Sequence, residues 1–215
     1  MNVDCLPLAA RSASSEWNVV PAERIRQGVK RSDQLFRLTQ EQYVELAVGL
    51  ISRAEQHIPH ATRPPNDPIT TIGYGYTFTR DNNLQLWQAA GISLTSDQVN
   101  LLQQIDSAAA SQRNDLALQF TRSISKSEAA DLLRQTYPQY EGPAKSLGMP
   151  FSIERAAFVS LTYNRGVGTV KARMQGFIDA VNKGDRSEAW FQMRYLSWGT
   201  GSRSEERRVG KECRS

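Results

Sequence analysis

Glu55, Asp67 and the Thr70-Thr71 pair bring two carboxyl groups and two hydroxyls into one short stretch of chain. A carboxylic acid at a helix end, where apolar neighbours can raise its pKa, is suited to protonating a leaving oxygen. A second carboxylate and a hydroxyl across a cleft are suited to holding a water for attack. Glycoside hydrolysis asks for this pair of roles. The same residues also fit a solvated helix end at Glu55 and a turn former, Asp67, ahead of Pro68, and spacing by itself does not separate the two accounts. His57 and His60 flank the stretch and could touch a substrate. Two histidines without cysteines or clustered acids make a poor metal site, so no metal or other cofactor is expected.

The elements around these residues decide whether they can meet. Thr39 caps a helix whose apolar positions Tyr43, Leu46, Ala47, Leu50, Ile51 and Ala54 follow the helical period, and Glu55 closes it. From His57 to Pro68 four prolines (Pro59, Pro64, Pro65, Pro68) predict an irregular loop. Ile69 to Thr79 is rich in β-branched and aromatic residues and reads as a strand or hairpin, with Gly73 and Gly75 allowing a bulge or a close backbone approach. The rest reads as helical. Thr95 with Gln98 and Ser125 with Glu128 form capping boxes, Ser152 opens a helix that Gly166 ends, residues 170–182 form another, and Asp185 caps a last one. A small β element inserted after the first helix and facing a helical body is an α+β arrangement with a cleft.

Composition sets the outer bounds. The chain has 215 residues, 40% hydrophobic and 22% charged, enough to bury a core without disulfides. No run approaches the roughly 18 apolar residues of a membrane span, and no basic stretch precedes the short apolar patch near the N-terminus, so no secretory signal is read there. Cys5 and Cys213 lie at opposite ends without a CxxC spacing. The net charge of +4 suits an anionic partner and selects none. Binding of nucleic acid would rest on charge alone, without interleaved basic and aromatic residues, and is not expected. Residues 1–37 read as a linker or the remnant of an upstream domain, and 38–202 as the folded domain. The charge-dense run 203–215 resembles a translated sequencing adapter and is expected to be non-native. It holds five of the 26 basic and three of the 22 acidic residues, so the remainder carries +2.

The helix, Glu55, the irregular loop and Thr71-Ile-Gly-Tyr-Gly75 resemble the phage-type lysozymes, a family of peptidoglycan-cleaving muramidases. The resemblance continues in order through Ile124–Leu133, Ala156–Gly166, Phe177–Asp185 and Ala189–Gly199. It implies a lysozyme-like fold, predominantly helical with a small β-hairpin subdomain and an active-site cleft. It also implies Glu55 as general acid, Thr71 as the active-site threonine and inversion at the anomeric carbon. Asp67 is the second carboxylate by the same carry-over, with Asp81 as the alternative. Asp67 follows Glu55 by more residues, and precedes Thr71 by fewer, than is usual in the family, so the loop between has been rebuilt. Pesticin-like lysozymes, a related branch, place an Asp where this chain has Thr77, and Tyr76 stands where many phage enzymes have His. Tyr76, Asn164 and Arg165 are the expected substrate-binding residues, the last two through a hydrogen bond to sugar or a salt bridge holding Glu55, with helix capping and a surface cation as their structural account. Trp87, Trp190 and Trp198 are expected in the core, and Lys171, Arg173 and Arg194 on solvated helix faces.

The resulting expectation is a monomeric, cofactor-free enzyme acting on peptidoglycan, an anionic wall polymer. It would be made in the cytoplasm and reach the wall through a holin-type lesion or by effector delivery, an immunity protein being the partner in the second case. A non-catalytic wall-binding module with the same fold is the second reading, supported by the altered Glu-Asp-Thr spacing. The family continues after its Trp-Gly segment into a final helix, which the adapter reading of 203–215 would leave missing.

Overall fold

The computed structural model describes residues 37–64 and 68–196. Asp67, Pro65, Trp198, both cysteines, residues 1–36 and the run from Arg203 lie outside the described residues. Within them the chain divides into two compact units, one ending at Lys171 and the other beginning at Ala172.

In the larger unit, helix α1 (Gln40–Ala54) starts at a reciprocal capping box. Thr39 Oγ1 accepts from Gln42 N–H at 3.3 Å, and Gln42 Oε1 accepts from Thr39 N–H at 3.0 Å, which satisfies two of the helix's orphan donors. Its apolar face buries Tyr43, Ala47, Val48 and Ile51 and packs on α7 (Ile153–Arg165).

The β element is a three-stranded antiparallel sheet in the order β1 (Ile58–Thr62), β2 (Thr71–Gly73), β3 (Tyr76–Thr77). The hairpin lies where its composition predicts. The expectation of an irregular loop from His57 is corrected, because its first part is strand β1. Pro59 is tolerated there because β1 is an edge strand, where a missing ladder N–H costs little. Its carbonyl accepts from Ile124 N–H at 2.9 Å, and a register irregularity falls between Ile58 and Thr62.

Helices α2 (Asn83–Ala89), α3 (Ser96–Ser107), α4 (Ala110–Ala117) and α5 (Lys126–Thr136) complete this part of the body. Trp87 is fully buried beside Phe120, Tyr76 and Phe78, with ring centroids 4.9, 6.0 and 6.3 Å away. Each such side chain contributes about 1.5–3 kcal/mol by leaving water. Helix α2 is capped from a distance: Asp106 of α3 accepts from the N–H groups of Asn83 (2.8 Å) and Leu84 (3.0 Å).

A 3-10 turn (Tyr137–Tyr140) and α6 (Gly142–Ser146) lead to α7, where Ser152 Oγ accepts from Arg155 N–H at 3.1 Å. Glu141 and Arg155 form a buried ion pair here, Nη2 to Oε1 at 2.9 Å. Tyr43 Oη donates to the same oxygen at 2.6 Å, and Lys145 Nζ lies 3.0 Å from the other. The guanidinium also lies 5.1 Å from the Tyr43 ring centroid and 4.7 Å from that of Phe151. One ionic cluster thus ties α1, α6 and α7 together.

Helix α8 (Val167–Arg173) spans the boundary between the units. The smaller unit continues with α9 (Gln175–Asn182), α10 (Arg186–Phe191) and a π-helical turn (Gln192–Leu196). The single helix expected over 170–182 is therefore two helices, broken at Met174, whose backbone (φ −111°, ψ 37°) leaves the helical region. Asp185 caps α10 as expected, accepting from Glu188 N–H at 3.0 Å.

Candidate active site

Glu55 is the residue at which α1 ends. Its N–H donates to Ile51 O at 2.9 Å, and its own backbone is already extended (φ −93°, ψ 142°). The turn out of the helix leaves the side chain half-buried rather than packed against the next helical turn. The last turn of α7 supplies its one described side-chain hydrogen bond: Asn164 Nδ2 donates to Glu55 Oε1 at 3.1 Å. An acceptor held on one oxygen keeps its orientation while the other oxygen remains available to a ligand.

Thr70, just ahead of β2, and Thr71, its first residue, differ in how their hydroxyls are satisfied. Thr70 is fully buried, its Oγ1 donating to Asn114 O at 2.7 Å and its N–H to Asn114 Oδ1 at 3.0 Å. Thr71 opens β2 opposite Thr77, and its Oγ1 is buried without a hydrogen-bond partner among the described residues. Glu55 lies just ahead of β1, the strand that pairs with Thr71's own.

The glycines of the Thr71–Gly75 run have separate jobs. Gly73 (φ +67°) faces α5, where an added Cβ would come within 3.2 Å of Ala129 Cβ. Gly75 (φ +83°) faces α7, where it would come within 3.1 Å of Tyr163 Oη. Both positions need the left-handed backbone that glycine adopts without penalty and the close approach that its missing side chain permits. Tyr163 uses that approach to donate from Oη to Tyr74 O at 2.6 Å, while its ring lies 4.6 Å from that of Tyr140. Burial, then Tyr140 and the Glu55 carboxylate, push the Tyr163 phenol above its ordinary range, so it remains a donor.

The other expected residues fall less close to the acid. Tyr76 is buried in the core, edge-on to Phe78 and Trp87, and its hydroxyl donates to Asn83 Oδ1 at 2.6 Å; it braces the sheet against α2 and presents no surface to a ligand. Arg165 is half-buried at the end of α7, before Gly166 (φ +81°). Asp81 is exposed beyond β3. His57 is half-buried with its ring 5.5 Å from that of Tyr74, and His60 is exposed on β1. Lys171, Arg173 and Arg194 are exposed and Trp190 is half-buried. Sequence does not single out Tyr163 at the site; its signal is its place beside Asn164 on the helix that Gly75 faces. Among the described residues no group of His, Cys, Asp or Glu is placed to hold a metal ion, and no helix is long and apolar enough to cross a membrane.

A helical body with a small antiparallel sheet, and a carboxylate where the first helix gives way to that sheet, define an α+β fold of the lysozyme type. Residues 52–209 match the phage lysozyme family, and the chain belongs to it. The match reaches into the charged run that begins at Arg203. No curated protein and no solved structure matches the chain significantly. Membership makes the protein a lysozyme-type glycoside hydrolase with peptidoglycan as its substrate.

Proposed function

We propose that the protein is a muramidase hydrolysing the β-1,4 bond between N-acetylmuramic acid and N-acetylglucosamine, with Glu55 as general acid. In this reading Glu55 gives its proton to the glycosidic oxygen as the bond to the anomeric carbon breaks. Water adds to that carbon from the opposite face, its proton passing to Asp67, with Thr71 Oγ1 fixing the water's position. Asn164 orients the acid through its hydrogen bond to Glu55 Oε1. The observation that carries the reading is Glu55 at the α1-to-sheet transition in a chain of this family, held on one oxygen and half-open to solvent.

Digestion of purified peptidoglycan tests it. Borohydride reduction of the products followed by acid hydrolysis should yield the alditol of muramic acid, whereas the alditol of glucosamine would place the cut at the other bond. Glu55→Gln should release almost no reducing ends. Release at the parent rate would overturn the assignment of the acid, and wall binding without turnover by the parent chain would favour a binding module.

A further inference from the structure

Two consecutive residues in the last turn of α7 reach two different parts of the site. Asn164 holds Glu55 Oε1, and Tyr163 Oη holds Tyr74 O in the turn between β2 and β3, one residue past the end of β2. The donor–acceptor distance of 2.6 Å is that of a well-formed O–H···O bond. The chain makes room for it, since any side chain at 75 would press on the same hydroxyl from 3.1 Å. We infer that Tyr163 is a positioning residue for the hydrolysis: its hydroxyl fixes the sheet that carries Thr71 relative to the helix end that orients Glu55. Phenylalanine would fill the same space against Tyr140, so packing alone does not require the hydroxyl. The inference rests on the reading of Glu55 as the acid.

The mechanism by which such a bond matters is geometric. Acid and water must approach opposite faces of one anomeric carbon, and a displacement of about 1 Å in such a constellation can cost about a hundredfold in rate. Peptidoglycan binds over a longer surface than these few atoms, so the loss should fall on turnover rather than on affinity.

The experiment is steady-state hydrolysis of soluble peptidoglycan fragments by the full chain, Tyr163→Phe, Gly75→Ala and Glu55→Gln, each corrected for folded fraction by thermal melt. Tyr163→Phe should lower kcat about tenfold with KM within about twofold of the parent, a partial misplacement on that geometric scale. Gly75→Ala keeps the phenol but crowds its hydroxyl, and should show the same split. A purely structural role would lower the melting midpoint and leave kcat per folded molecule unchanged. Parental kcat in the folded fraction of either variant, or a loss carried by KM, overturns the inference. If Glu55→Gln is as active as the parent, the underlying reading fails instead; if Glu55→Gln is inactive while Tyr163→Phe keeps parental kcat, the inference alone fails.

Discussion

Glu55 and Glu141 sit near α1, one ending it and the other bonded to its Tyr43, and the protein treats the two carboxyl groups in contrasting ways. Glu141 is 6% exposed and receives Tyr43, Arg155 and Lys145. Glu55 is half-buried and receives Asn164. A buried carboxylate with donors on both oxygens is committed to the fold and is a structural joint. One with a single donor is oriented without being consumed. The contrast separates stability from chemistry within a few helical turns.

Glu55→Gln should divide these roles most sharply. Hydrolysis should fall by about 10²- to 10⁴-fold, the usual worth of a general acid, with the melting midpoint close to the parent's, because an amide keeps an oxygen for Asn164. Reducing-end release and calorimetry on the same sample check both halves.

The opposite outcome is expected at the joint. Arg155→Ala should cost about 3 kcal/mol, since it leaves Glu141 buried beside a lost guanidinium, while folded molecules keep their specific activity. Urea unfolding measures it. Burial alone would raise the Glu141 carboxyl, but hydrogen bonds from Tyr43 and Lys145 and the Arg155 charge hold it below its ordinary value. A depressed folded-state value means this contribution is fully present above the unfolded carboxylate's pKa of about 4.3 and is lost as pH falls through the lower folded one. Glu141→Gln should therefore flatten the decline of the melting midpoint on the acid side; an unchanged decline would exclude Glu141 as its source.

Gly75→Ala should cost about 1–2 kcal/mol through its left-handed backbone and the contact with Tyr163. Smallest of all, Asn164→Ala should change stability by less than about 0.5 kcal/mol, since its bond is exposed, yet lower turnover severalfold. An equal loss of activity and stability there would erase the distinction between the two carboxylates.

How much of this was readable from the letters depends on the range of the interaction. The capping boxes Thr95 with Gln98 and Ser125 with Glu128, bonded three residues apart, are present as expected, and the Thr39 cap proves to be a third, completed by Gln42. Helix α4 is not legible because Ala110–Ala117 has little apolar period, and α2 is capped by Asp106 from another helix. The break at Met174 was hidden because the apolar spacing continues across it. Strand β1 was masked by its prolines, whose effect depends on being at an edge that sequence does not show. Tyr76 was expected at the substrate, but pairing with Ile72 turns it into the core. Glu55, Thr71 and Asn164 stood out through family likeness. The bond from Tyr163 to Tyr74, 89 positions apart, exists only once the chain has folded.

Thr70 has a consequence for how this enzyme can vary. Its two bonds to Asn114 clamp the chain at the point where the sheet resumes, so residues upstream can be inserted or removed without passing a shift in register on to Thr71. Such an anchor lets the connecting segment drift in length while the strand beyond it keeps its phase. The stretch ahead of Thr70 is accordingly the place to graft new contacts to the wall polymer, and Asn114 is the residue such a graft must leave alone.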